Sequence, residues 1–222
     1  MELALALVLG GLVGLDATSF PQAMYSRPFV AGALGGLLVG RPVEGALIGM
    51  FLEFFSLPVL PFGAAGYPEG GTAAVAATLA YHGATATFDT NLLFLAVALG
   101  LLLSHATGYS VRLLRIRNGR AVGHMDGAPI EPEVIDRAHL VAMVLDFLRG
   151  ALVTGAGTAV LVVALGLALR LGWQLPVAPL DTLIVATVIM IGGSLTVFGS
   201  VRERALSFGI GVLVTALLVW VL

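Results

Sequence analysis

The chain has 222 residues, of which 59% are hydrophobic and 11% charged, with a mean hydropathy of +1.03 and a net charge of −2. A soluble domain carries about 25% charged residues, so much of this protein's surface must face something apolar, and lipid is the candidate. Cysteine is absent, which excludes disulfides and thiol chemistry; the slightly acidic balance argues against a nucleic-acid role, and all eleven basic residues are arginine.

The first apolar run, Leu3 to Leu15, is short for a bilayer crossing, which needs about 20 residues. It lacks the basic start of a secretory leader and is expected to be a membrane helix. A polar stretch from Asp16 to Pro28 follows. Two apolar runs, Phe29–Gly40 and Gly45–Leu60, are then separated only by Arg41-Pro42-Val43-Glu44. Short hydrophobic segments interrupted by Gly and Pro suggest broken helices or re-entrant hairpins, which persist at membrane depth only where protein or a water-filled cavity surrounds them. Pro58 to Gly63 reads as such an interruption, and a small-residue helix is expected from Gly71 to Tyr81.

The second half is more regular. Asn91–Val111 makes a good span, a polar loop is expected from Arg112 to about Arg137, and the segment up to Arg149 is amphipathic. Gly150–Leu171 is a long span with Trp173 as an interfacial anchor, and Leu180–Gly199 and Ala205–Leu222 complete the set. The expected fold is an all-α, polytopic helical membrane protein with about seven or eight membrane segments. It forms a single membrane domain over residues 1–222. Residues 1–111 hold the re-entrant hairpins, 112–149 a cytoplasmic loop and amphipathic segment, and 150–222 three C-terminal spans. Arg112, Arg115, Arg117, Arg120 and Arg137 cluster in one connection and Arg202 and Arg204 in another, two spans later, so both are expected on the cytoplasmic side.

An ionisable side chain costs a few kcal/mol near the centre of a spanning helix, so acids among apolar residues carry the information. Glu53 lies in Met50-Phe51-Leu52-Glu53-Phe54-Phe55, and Glu69 in Gly66-Tyr67-Pro68-Glu69-Gly70. A carboxylate in a protein-lined cavity accepts paired hydrogen bonds from sugar hydroxyls. Equally, Glu53 can partner Arg27 or Arg41, and Glu69 can serve the positive end of the following helix. The residues alone leave both readings open.

From Arg27 to Glu69 the chain resembles the membrane C subunit of the mannose/fructose/sorbose family of the bacterial phosphotransferase system. The matching positions are Arg27-Pro28, then Gly36, Gly40, Gly45 and Gly49, then Leu52-Glu53, Gly63-Ala64-Ala65 and Pro68-Glu69, in order and without a gap. The family has Gly where this chain has Pro58, Asn where it has Pro61, and Asp where it has Glu69. The resemblance implies a subunit of a sugar permease in the bacterial inner membrane, not catalytic alone and needing no cofactor. Its partners would be a D subunit, phosphorylated A and B subunits, the sugar and lipid, arranged as a trimer of C–D pairs. Implied sugar contacts are Glu53 and Glu69, with Ser56 and the backbone of Gly63, Ala64, Ala65 and Gly66 nearby and Arg27 pairing with one of the acids.

Other residues carry less. His82, His105, His124 and His139 are scattered without metal-ligand spacing, and His105 is expected to make an interhelical hydrogen bond. Asp146 and Arg149 sit three apart and read as a pair on an interfacial helix. No phosphate loop exists, because the chain has no lysine. Rival readings are a carrier that does not use phosphate, and a structural or regulatory membrane subunit without transport.

Overall fold

The apolar runs become helices in a computed structural model, which describes residues 2–57, 66–123, 132–194, 202, 203, 205, 206 and 209. The elements in order are α1 (Glu2–Thr18), α2 (Pro28–Leu38), α3 (Pro42–Ser56), α4 (Gly70–Ala84), α5 (Thr90–Gly123), α6 (Pro132–Arg170) and α7 (Pro179–Ser194). Four of them begin on proline, whose missing N–H is no loss in a first turn and whose φ is already helical. The start of α5 is fixed instead by Asp89, whose Oδ1 accepts from the backbone N–H groups of Asn91 and Leu92 at 2.8 and 3.0 Å.

Helices α2 and α3 form a tight hairpin. At about 1.5 Å per residue they are roughly 16 and 22 Å long, short of the ~30 Å hydrocarbon core. Their backbones touch because the residues at the crossing have no side chain. A Cβ on Gly32 would overlap the carbonyl oxygen of Gly45, and one on Gly49 that of Pro28. Three of the four spaced glycines of the motif, Gly36, Gly45 and Gly49, are contact points of this hairpin. The fourth, Gly40, turns the chain between the helices with φ +73°.

Helix α4 is also too short to cross, and it is almost wholly buried, from Gly70 through Thr78 and at Ala80 and Tyr81. Its small side chains let α1, α2, α3, α5 and α6 all pack on it. Ala73, Ala77 and Tyr81 join Ile48, Leu52, Leu93, Val97 and Leu165 in the main apolar core. Helix α1 crosses α6 at another glycine contact, where Gly150 faces Gly10 and Gly14.

By length and composition, α5 and α6 are the helices able to cross a membrane among the described residues. Both run further than expected. The polar stretch expected as a loop is helical through Gly123, because Leu113, Leu114 and Ile116 alternate with arginines at helical spacing and no proline intervenes. The amphipathic segment and the following span are one 39-residue helix, α6. The expected last span, Ala205–Leu222, falls largely outside the described residues, and so does the break at Pro58–Gly63. On α6 and α7 the outward residues are Leu148, Leu152, Val160, Val163, Leu167, Ile184, Val188 and Ile189, while Asp146, Arg149, Thr154 and Thr187 are buried. Apolar outside and polar inside is the partition a lipid solvent requires.

Candidate functional site

The first turns of α2 and α4 meet. A Cβ on Gly70 would stand 2.7 Å from Pro28 Cγ, and Gly71 leaves room for the carbonyl oxygen of Ser26. Arg27-Pro28 and Pro68-Glu69, at opposite ends of the motif, are thereby brought side by side. Each helix start carries a carboxylate. Glu53, reaching across from α3, accepts the backbone N–H of Phe29 at 3.1 Å, and its other oxygen lies 3.9 Å from Arg27 Nη1. Glu69 is the N-cap of α4 and accepts both the backbone N–H (3.0 Å) and the hydroxyl of Thr72. Such acceptors satisfy first-turn N–H groups that have no partner within the helix.

The two acids differ in access. The Glu53 side chain is 26% exposed and Arg27 57%, whereas Glu69 is 2% exposed and lies within a buried ionic cluster. At its centre Arg149 donates through Nε to Asp146 (2.9 Å), through Nη1 to Ser110 Oγ (3.2 Å), and through Nη2 to the carbonyl of Gly14 (3.3 Å). Nη1 also stands 3.9 Å from Glu69. Asp146 accepts further from the hydroxyls of Thr18 and Ser19. One guanidinium thus joins α1, α4, α5 and α6. The pair expected on an interfacial helix face is instead central, because Gly10, Gly14 and Gly150 bring α1 against this part of α6.

A third buried acid shapes the connection between α1 and α2. Asp16, 2% exposed, accepts from the backbone N–H groups of Ala23 (2.5 Å) and Ser26 (2.8 Å). The loop it holds contains Gln22 and Met24 at φ 59° and 68°, a left-handed backbone that costs energy in residues with a Cβ. The loop delivers Arg27 to the start of α2. The segment before α4 is held as firmly: the backbone N–H of Glu69 donates to the carbonyl of Ser104 (2.9 Å), Thr107 Oγ1 donates to the carbonyl of Glu69 (2.6 Å), and Gly108 lets the carbonyl of Tyr67 approach α5.

Of the residues singled out in the sequence, Glu53, Glu69 and Arg27 surround the meeting point of α2 and α4. Ser56 lies one turn beyond Glu53, and its hydroxyl donates to the carbonyl of Leu52 at 2.8 Å. Gly66 lines a cavity beside α5, while Gly63, Ala64 and Ala65 lie outside the described residues. Arg41 does not reach Glu53; it pairs with Glu44 at 2.7 Å and donates to the carbonyl of Thr85. Among the described residues His105 makes no interhelical bond: it is exposed, and its Nδ1 lies 2.9 Å from the carbonyl of Leu101 in its own helix.

The sequence model of the family described as "PTS system sorbose-specific iic component" matches residues 1–199. The chain belongs to this family. It is therefore a C component of the sugar permeases of the phosphotransferase system, in the mannose/fructose/sorbose group, and a membrane-integral protein. Among solved structures, one described as "Structure of membrane protein" aligns over 99% of this chain and 94% of its own, at 16% identity and a TM-score of 0.69. That likeness shows the fold. No curated protein matches the chain.

Within this permease component, sequence reasoning missed Asp16, Asp146 and Arg149 as members of the buried polar interior. The available signal was chemical. Val144-Leu145-Asp146-Phe147-Leu148-Arg149 places two charges between apolar residues at the edge of a span, where lipid would penalise them unless they turned inward.

Proposed function

We propose that this chain binds a hexose-type sugar, carries it across the bacterial inner membrane, and presents it to a phosphorylated B subunit. A D subunit would complete the membrane unit, in a trimer of C–D pairs supplied with phosphate by the A subunit. The short helices α2, α3 and α4 would be the re-entrant elements that line and open the pathway. The observation that carries the reading is the state of Glu53. It is a partly exposed carboxylate on an apolar helix, it uses one oxygen to cap α2, and its other oxygen has, among the described residues, only a loose guanidinium neighbour. That oxygen can accept sugar hydroxyls beside the donors of Arg27, and Ser56, one turn further along α3, and the backbone of Gly63 to Gly66 would supply further sugar contacts. Glu69, with both oxygens engaged, acts through position: it fixes the start of α4 against Pro28.

The test is sugar binding to the purified protein, with and without a co-expressed D-type partner, using mannose, glucose, fructose, sorbose and amino sugars. Glu53→Gln keeps an acceptor for Phe29 but removes the charge, and affinity for the bound sugar should fall about tenfold, the worth of one charge-assisted hydrogen bond. An assembled complex that binds none of these sugars would sink the assignment and favour a subunit that has lost transport.

A further inference from the structure

We propose that Arg112 and Arg115 of α5 form, with Tyr67, a binding site for the phosphate group of a phosphate monoester, separate from the site at Glu53. The two arginines line a cavity of about 380 Å³ together with Gly66, Tyr67, Gly108 and Ile116, and Arg112 also borders a neighbouring cavity of about 180 Å³. They are three residues apart on one helix face, so two like charges stand side by side. Arg27, Arg41 and Arg149 each have a carboxylate partner, in Glu53, Glu44 and Asp146. Among the described residues, no acidic residue lines either cavity and Arg112 makes no hydrogen bond or ion pair.

Arg115 is already oriented. Its guanidinium carbon lies 5.4 Å from the centre of the Tyr67 ring, and Nη2 donates to the Tyr67 hydroxyl at 3.0 Å. Stacking and one hydrogen bond leave most of its five N–H donors open, in the planar fork that suits phosphate oxygens. The charge also selects the ligand. Two guanidinium groups balance a monoester, which carries about −1.5 to −2 at pH 7, whereas the phosphate of a membrane phosphodiester carries one negative charge. Tyr67 lies two residues before Glu69 in the short segment that leads into α4, so this cavity and the start of α4 share one piece of backbone. Identifying the ester as the phosphorylated sugar rests on the permease reading; the phosphate site itself does not.

The experiment is calorimetric titration of the protein in phosphatidylcholine nanodiscs with inorganic phosphate, a hexose phosphate and the same unphosphorylated hexose. Wild type should bind phosphate and, more tightly, the hexose phosphate. Arg112→Gln should weaken both by about tenfold, and Tyr67→Phe, which frees Arg115, should weaken them less. Arg117→Gln, at a different cavity, should leave both unchanged. All three positions border open space, so a melting temperature like that of wild type is expected and would show that the fold survives. Equal losses in Arg112→Gln and Arg117→Gln, or no phosphate binding by wild type, would overturn the proposal. So would displacement of the hexose phosphate by phosphatidylglycerol added to the nanodiscs, which would make the site a lipid-headgroup site. Phosphate binding without any hexose binding would overturn the permease reading alone.

Discussion

Replacing Arg149 by Gln should destabilise the protein more than replacing any other arginine. The side chain is 8% exposed, its neighbours Asp146 and Glu69 are 1% and 2% exposed, and it bonds to Asp146, Ser110 and the Gly14 carbonyl. Without the guanidinium, two carboxylates remain buried with no cation beside them. Breaking a buried pair in this way costs about 3–5 kcal/mol, which for a chain of this length lowers Tm by roughly 6–20 °C. Arg149→Lys keeps the charge but loses the fork that serves several elements at once, and should fall between the two. The assay is thermal loss of the monodisperse peak in mild detergent, with Arg41→Gln as a less buried comparison. The double variant Arg149→Gln/Asp146→Asn should lose less than the sum of the singles, because the two side chains are in contact. A fall under about 2 °C for Arg149→Gln, corresponding to less than about 1 kcal/mol, would refute the claim that the guanidinium holds this cluster together.

Three other substitutions probe the packing around the site. Gly32→Ala places a methyl group on the carbonyl oxygen of Gly45, a backbone overlap that no rotamer relieves, and should cost about 3 kcal/mol; unchanged melting would show that the α2–α3 crossing is looser. Thr78 is 2% exposed and its hydroxyl has no partner among the described residues, so Thr78→Val should be neutral or gain about 1 kcal/mol, and a loss of that size would mean the hydroxyl bonds something. Gly108→Ala pushes on the carbonyl of Tyr67 and should shift residues 66–69. Helix content by circular dichroism should stay constant while sugar affinity falls, and unchanged affinity would uncouple this segment from the pathway.

The helices were legible because apolar runs of different lengths, punctuated by Pro and Gly, dictate where helices start and stop. The proposed site was legible only where its signal was local. Glu69 precedes Gly70-Gly71-Thr72, and an N-cap could be read from that sequence. Its neighbour Arg149 lies eighty positions later, and no period in the sequence joins them. The same holds for Asp146, bound to Thr18 and Ser19 across more than a hundred residues. The glycine spacing from Gly36 to Gly49 marked close packing without naming the partner helix. The polar run after Val111 misled for a physical reason. Charge tells which residues meet water, and helix propensity is indifferent to that when arginine and leucine alternate.

The two motif acids should separate in experiment, because they meet the same need in different surroundings. A helix that starts inside a membrane protein leaves N–H groups that water cannot reach, so α2 and α4 each require an acceptor at the first turn. Glu69 commits both oxygens to Thr72 and stands beside Arg149 at 2% exposure; Glu53 commits one oxygen to Phe29 at 26% exposure. Removing charge from the buried acid therefore disturbs the fold, and from the open one the ligand. Glu69→Gln, by spoiling the cap and the ionic cluster, should cost about 1–3 kcal/mol. Glu53→Gln should melt within about 2 °C of wild type, a change of under 1 kcal/mol, while losing sugar affinity. The check is a melting curve and a binding isotherm on each variant. The reverse pattern, an unstable Glu53→Gln and a stable Glu69→Gln that does not bind, would transfer the sugar contact to Glu69.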